Sequence, residues 1–213
     1  TQGIPLDITD VFSTYLYDGT GAAQTITNGV DLAGEGGLVW IKSRDVARGH
    51  NLYDNERVGT GYKVISSDTT SAEADPGNRV TAFNSDGFTM STSTAVNGSS
   101  EDYASWTFRK APKFFDVVTY TGNSTSGREI AHNLDSVPGM ILVKRTDGAE
   151  SWVVFHRTQG AAYAELESTG AFSSGDVRWG SQLHSTTHFS LDDHNAVNGT
   201  GKTYVAYLFA HND

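Results

Sequence analysis

The chain predicts an all-β protein built as two tandem, duplicated antiparallel β-sandwich units, lectin- or jelly-roll-like. Three observations carry that expectation. Short β-branched and aromatic runs bounded by Gly, Asn, Asp and Ser recur along the whole chain at sandwich-like spacing. No window sustains apolar residues at i, i+3, i+4 and i+7 behind a cap, so helix signals are nearly absent. Ordered landmarks also return at offsets of 101 to 103 residues. Ala95-Val96-Asn97-Gly98 with Tyr103, Trp106 and Phe108 returns as Ala196-Val197-Asn198-Gly199 with Tyr204, Tyr207 and Phe209. Gly37-Leu38-Val39-Trp40-Ile41-Lys42 before Asp45 returns as Gly139-Met140-Ile141-Leu142-Val143-Lys144 before Asp147, and Phe12, Tyr17 and Gly19 return as Phe115, Tyr120 and Gly122.

The repeat divides the chain into residues 1–111 and 112–213, meeting at Arg109-Lys110-Ala111-Pro112-Lys113, where proline cannot donate to a ladder and lysines discourage edge pairing. One larger pseudo-symmetric sandwich, to which each half contributes strands, is the alternative. Expected strands in the first half are Phe12–Tyr17, Gln24–Thr27, Leu38–Lys42, Leu52–Tyr53, Tyr62–Ile65, Phe88–Ser91 and Tyr103–Phe108. The second half gives Phe114–Tyr120, Glu129–Leu134, Met140–Arg145, Trp152–Arg157, Ala162–Glu167, His188–Leu191 and Thr203–Phe209.

Alternation places Ala104, Trp106 and Phe108 on one face, and Val205, Tyr207 and Phe209 on the matching one; both trios are expected to face a core. Leu38–Ile41 and Met140–Val143 are apolar on both faces, as in strands central to a sandwich. Trp152, at the start of a strand, reads as core. Asp86-Gly87, Asn97-Gly98 and Asn198-Gly199 read as hairpin turns, because Asn and Asp tolerate positive φ and Gly prefers it.

Composition narrows function. A formal charge of -10, with 15 basic residues scattered among 25 acidic ones, argues against a nucleic-acid groove. The densest basic group, Arg44, Arg48 and Arg57, is interleaved with Asp45, Asp54 and Glu56. Cys is absent, so neither disulfides nor thiolate metal sites are expected. No apolar run reaches the ~18 residues of a membrane span, so no membrane insertion is expected. A start at Thr1 rather than Met reads as a processed or excised segment.

No motif makes a positive case for catalysis. His184 and His188 are four apart, but in a loop and strand context that spacing spans ~13 Å, so both read as surface histidines and no metal is expected. Glu165 and Glu167 share one face of an expected strand, roughly 6.6 Å apart by strand rise. Paired carboxylates of that kind serve some glycoside hydrolases, and a solvated strand face is the plainer reading. Asp192-Asp193-His194-Asn195 and Asp18-Gly19-Thr20-Gly21 read as turns rather than calcium loops. Three Asn-X-Ser/Thr sequons, at Asn97, Asn123 and Asn198, match chance expectation in a chain of this composition. No cofactor is expected.

Several segments look familiar as a set: Tyr15-Leu16-Tyr17-Asp18-Gly19, Gln24-Thr25-Ile26-Thr27-Asn28-Gly29, Gly36 through Lys42, Phe83-Asn84-Ser85-Asp86-Gly87-Phe88, and Phe115 through Gly122. Ile130-Ala131-His132-Asn133-Leu134, Val137 through Thr146 and the closing Tyr204 through Phe209 belong to the same set. Together they resemble a domain found, often duplicated, in tail and tail-fibre-like virion proteins of bacteriophages, notably marine ones. The likeness runs from about Asp10 to Phe209. It implies a place on the virion, in the tail or a tail appendage, acting outside the host cell. It also implies host contact and a fibre-like setting in which such modules are commonly homotrimers. It carries no catalytic motif and identifies no binding residue.

The leading expectation is therefore a virion adhesion module for a bacterial surface glycan or protein. A structural spacer or decoration domain that binds other virion subunits is the alternative, and a polysaccharide depolymerase using Glu165 and Glu167 a further one. Contact residues are expected among aromatic and planar cationic groups where the halves differ. These are Arg48, His50 and Tyr53 in one segment, and Arg178, Trp179, His184 and His188 in the other.

Overall fold

The computed structural model describes residues 6–180 and 184–211, and the chain is all-β. It forms two compact units: Thr1–Val64 with Ala74–Lys110, and Ile65–Glu73 with Ala111–Asp213. Unit 1 carries β1 (Phe12–Asp18), β2 (Gln24–Thr27), β3 (Gly37–Ser43), β4 (Asn51–Asp54), β5 (Val80–Asn84), β6 (Gly87–Met90) and β7 (Asp102–Arg109). Three single-turn helices accompany them: α1 (Ile8–Val11), α2 (Leu32–Glu35) and α3 (Thr94–Asn97). Unit 2 carries β8 (Phe115–Thr121), β9 (Arg128–Ala131), β10 (Pro138–Arg145), β11 (Val153–His156), β12 (Ala164–Glu165), β13 (His188–Leu191) and β14 (Thr203–Ala210), with α4 (Asn195–Asn198) before the last strand.

Each unit packs one sheet against another. In unit 1 the sheets run β1-β7-β3-β4 and β2-β6-β5; in unit 2 they run β12-β11-β10-β14-β8 and β13-β9. All named pairs are antiparallel. Position by position, β8-β14-β10-β11 retraces β1-β7-β3-β4, with Trp40 opposite Trp106 in one and Leu142 opposite Tyr207 in the other. β3 and β10, apolar on both faces, are interior strands. Asp86-Gly87 closes the β5–β6 hairpin, with Gly87 at φ 151.

The face assignment is reversed in β7, whereas in β14 both faces are buried, Val205 and Tyr207 fully so. The core of unit 1 takes Tyr103 from β7, alongside Tyr17, Val39, Ile41, Tyr53, Phe88 and Met90. The core of unit 2 takes Tyr204, Ala206 and Leu208 from β14. Trp106 and Phe108, expected inside, lie on the opposite face and are half-buried. β14 is apolar on both faces, and the inward face of β7 sets Ser105 and Thr107 beside Tyr103, so alternation alone does not give the sign. The phenol groups decide it, because each finds partners inside.

Those partners form the same hydrogen-bonded knot in both units. Tyr103 Oη donates to Thr94 O (2.7 Å) and accepts from Gly98 N (2.9 Å); Tyr204 Oη donates to Asn195 O (2.6 Å) and accepts from Gly199 N (2.8 Å). Tyr17 stacks on Tyr103 and donates to Val96 O, and Tyr120 stacks on Tyr204 and donates to Val197 O. Asn97 accepts from Thr20 N and donates to Ser91 O; Asn198 accepts from Asn123 N and donates to Asp192 O and Thr125 O. Gly19 and Gly122 complete the knot, since a Cβ there would sit 2.1 and 2.2 Å from the carbonyl oxygens of Gly98 and Gly199.

Asn97-Gly98 and Asn198-Gly199 are therefore not hairpin turns. They end single-turn helices, and both asparagines are fully buried, which removes two of the three sequons from solvent. We expect Asn198→Ala to lower unfolding stability by about 2–3 kcal/mol, because it removes a fully buried side-chain amide that bonds the Asn123 N–H and two carbonyls; denaturant melts of the two proteins measure it.

Three strand expectations also change. Tyr62–Ile65 forms only isolated bridges, Val58 to Tyr62 and Val64 to Ala74. Ala162–Glu167 shortens to β12, and β5 was not anticipated. One feature has no sequence signal at all: Ile65–Glu73 leaves the first half and belongs to unit 2. There Glu73 N donates to Thr146 O, Glu150 N to Thr70 O, and Trp152 Nε1 to Ser66 O at 2.9 Å. Trp152 is fully buried, as its strand position implied.

Candidate functional site

The first group of expected contact residues is built into unit 1. Tyr53 is fully buried in the core, and burial pushes its phenol pKa up. It faces inward because β4 pairs with β3 and places it opposite core Val39. His50 Nδ1 accepts from Trp40 Nε1 at 2.8 Å, and the two rings meet edge to face. Arg48 grips both carboxylate oxygens of Glu101, with Nε at 2.7 Å from Oε2. Tyr103 Oη also lies 2.7 Å from Glu101 Oε2, so its single proton is shared between that carboxylate and Thr94 O. The Arg48 guanidinium, with help from Tyr103, holds the Glu101 pKa down to about 2. Glu101 was missed in the sequence because its partner lies 53 positions away.

The second group is also largely inside. Trp179 is 2% exposed and belongs to the core of unit 2, edge-on to Phe155 at 5.4 Å. His184 packs edge-on against Phe155 (4.3 Å) and Trp179 (5.8 Å), and its Nδ1 accepts from Ser190 N at 3.1 Å. Burial pulls its pKa down to about 4, so it is a packed neutral imidazole rather than a surface histidine. His188 is half-buried at the start of β13, with Nδ1 2.9 Å from Thr187 Oγ1. Trp179 cannot be a sugar platform; its ring is a wall of the core.

Glu165 and Glu167 do not form a carboxylate pair on one strand. β12 ends at Glu165, and Glu167 lies in the following turn, where its Oε2 accepts from Trp152 N at 3.1 Å. Glu167 is thus committed to backbone. Among the described residues no group of three or more His, Cys, Asp or Glu is placed to hold a metal ion, and no helix is long and apolar enough to cross a membrane.

Arg178 behaves differently from the rest. Its side chain is 8% exposed, and the guanidinium lies 4.3 Å from the centroid of the Tyr163 ring, with Nη2 3.3 Å from Tyr163 Oη. Nε and Nη1 are buried and meet no acceptor among the described residues. The nearest carboxylate is Asp176, exposed, with Oδ2 3.7 Å from Nη2: within ion-pair range but too long for a hydrogen bond.

Its counterpart in unit 1 explains the anomaly. Arg79 O accepts from Ser91 N and Arg178 O from Asp192 N, while the next residues form equivalent bridges, Val80 to Met90 and Trp179 to Leu191. Arg79 Nη1 donates to Asn51 Oδ1 at 2.8 Å. By strand register Val153 stands where unit 1 has Asn51: each lies opposite the matched residue of its partner strand, Ile41 and Val143. The acceptor is lost in unit 2 and the cation kept. The segment before it, Ser168–Val177, is ten residues that are all exposed and carry four Ser or Thr hydroxyls.

No curated protein and no solved structure matches the chain. A scan against protein families does match, over residues 7–213, and the chain belongs to the family described as a domain of unknown function, DUF7483.

Proposed function

We propose that this protein is a host-attachment module of a bacteriophage tail or tail appendage that binds a bacterial surface glycan outside the host cell. The observation that carries the reading is a division of labour between buried and exposed residues. The Tyr–Asn–Gly knot is repeated bond for bond in both units, whereas the segments around it are rewritten. The β3–β4 and β10–β11 loops have equal length, yet Arg48 of the first gives way to Glu150 in the second. A braced sandwich with freely varied loops is the arrangement in which recognition is placed on loops and the fold is left alone. The resemblance of the strand and turn motifs to tail proteins supplies the setting. Trimeric assembly belongs to the same proposal and would let individually weak sites act together.

A panel of purified bacterial surface polysaccharides, probed with the labelled chain, tests the proposal. Saturable binding to a subset is the expected outcome. Binding to none, combined with stable incorporation among other virion subunits, would establish the spacer reading instead. Shortening of a polysaccharide during the incubation would point to the depolymerase.

A further inference from the structure

We propose that Arg178 anchors a carboxylate-binding subsite for acidic sugars, with Asp176 occupying the approach until a ligand carboxylate displaces it. The ligand class rests on the attachment reading above; the site itself rests on geometry. A guanidinium is always charged and presents five N–H donors in a planar fork. Buried without acceptors, such donors carry an uncompensated desolvation cost, and structures rarely leave them so. At Arg178 both Nε and Nη1 are in that condition, and Nη2 has only the long contact to Asp176 and the phenol of Tyr163.

The end of the fork, Nη1 with Nη2, thus lacks what a carboxylate supplies: two oxygens in one plane, matched to two parallel N–H groups. Unit 1 shows how the same position is quenched internally, through Asn51 on the equivalent strand. Unit 2 holds Val153 there, which offers nothing. Asp176 has the right chemistry and the wrong distance, and at 68% exposure its side chain is free to leave. Tyr163 holds the guanidinium from one side, with Cζ 4.3 Å from the ring centroid and Nη2 3.3 Å from the phenol Oη, so the fork is oriented before any ligand arrives. The loop that precedes Arg178 is exposed throughout and carries Ser168, Thr169, Ser173 and Ser174, whose hydroxyls suit a ligand rich in hydroxyls. These features select a sugar acid over a simple anion.

Sodium glucuronate is the probe, with glucose as the neutral control, followed in NMR spectra tuned to arginine Nε–H. Glucuronate is expected to shift the Arg178 resonance saturably, and glucose to leave it in place. Asp176→Asn should tighten glucuronate binding by about three- to tenfold, because the internal competitor is gone. Val153→Asn, which supplies the acceptor used in unit 1, should weaken it by a similar factor. Arg178→Gln should weaken it by more than about tenfold; its melting curve is compared with wild type, and the two other variants decide the matter if it fails to fold. An unmoved Arg178 resonance at saturating glucuronate, in wild type and Asp176→Asn alike, means that internal water satisfies the fork and overturns the proposal. Equal affinity in wild type, Asp176→Asn and Val153→Asn overturns it as well. Glycan binding on the polysaccharide panel that ignores all three variants leaves attachment standing and removes this subsite. Glucuronate binding by a chain that recognises no polysaccharide does the reverse.

Discussion

Replacing Trp179 by alanine is expected to destabilise unit 2 by about 3–5 kcal/mol, the range for truncating a large aromatic in a packed core. The ring is a wall of the unit 2 core, shared with Phe155 and His184, so truncation removes the surface against which both of them pack. Trp179→Phe keeps most of that surface and deletes an indole N–H that is buried without a partner, so its cost should be much smaller. Differential scanning calorimetry of the three proteins measures the order wild type, Phe, Ala. A melting temperature for Trp179→Ala within a degree of wild type would show that the side chain is not core. The same experiment separates stability from binding, since loss of host adsorption in this variant would report unfolding rather than a lost contact.

The second large effect is acid lability confined to unit 2. Of the seven histidines, His50 alone is in unit 1. In unit 2 burial lowers the pKa of His132, His184 and His194, His184 to about 4. His132 stacks on Phe189 and its Nδ1 accepts from Leu134 N at 3.2 Å, so a second proton would have to displace that bond. His194 Nδ1 accepts from Ala196 N and caps α4, a bond that protonation removes.

Each of these groups binds a proton more readily in the unfolded chain than in the folded one. Their stabilising contribution is therefore complete above the unfolded pKa near 6.5 and is lost as pH falls towards the folded values. For His184 the window is pH 6.5 down to about 4, worth about 3 kcal/mol. Unit 1 titrates later, through carboxylates such as Glu101, whose support is lost only as pH falls from the ordinary glutamate range towards 2. Hydrogen exchange read separately over the two units at pH 7.5 and pH 5 should show unit 2 opening at the lower pH while unit 1 remains protected. His184→Gln should flatten that dependence. Simultaneous opening of both units would refute the histidine account.

The fold class was legible because it rests on local periodicity and turn chemistry, and β1, β3, β10 and β14 fell within a residue or two of their expected limits. What misled was any feature whose meaning depends on a distant partner. Asn97-Gly98 has turn composition, but the asparagine is claimed by backbone near residue 20 and cannot sit in a hairpin. Tyr103 and Tyr204 look like strand residues of either face until their hydroxyls find the carbonyls of Thr94 and Asn195. Of the expected contact residues, Tyr53 and Trp179 qualify in the sequence by aromatic character, which predicts burial at least as well as recognition. Arg178 stands out in the sequence by charge alone, whereas its missing partner is visible only in the structure, where Arg79 and Asn51 occupy the equivalent places. Tyr163, which orients it, and Asp176, which shadows it, carry no motif.

The assignment of Ile65–Glu73 to unit 2 bears on how the protein is made and cut. Trp152 must find the carbonyl of Ser66, 86 positions earlier, before its indole N–H is satisfied. The ribosome releases that early segment well before the rest of its unit exists, so it waits for the chain that will receive it. A truncation after Ala111, the boundary the repeat suggests, therefore does not yield two complete halves. The C-terminal piece lacks the stretch that meets Thr146 and Glu150, and a synthetic peptide of residues 65–73 added in trans should restore what the cut removes.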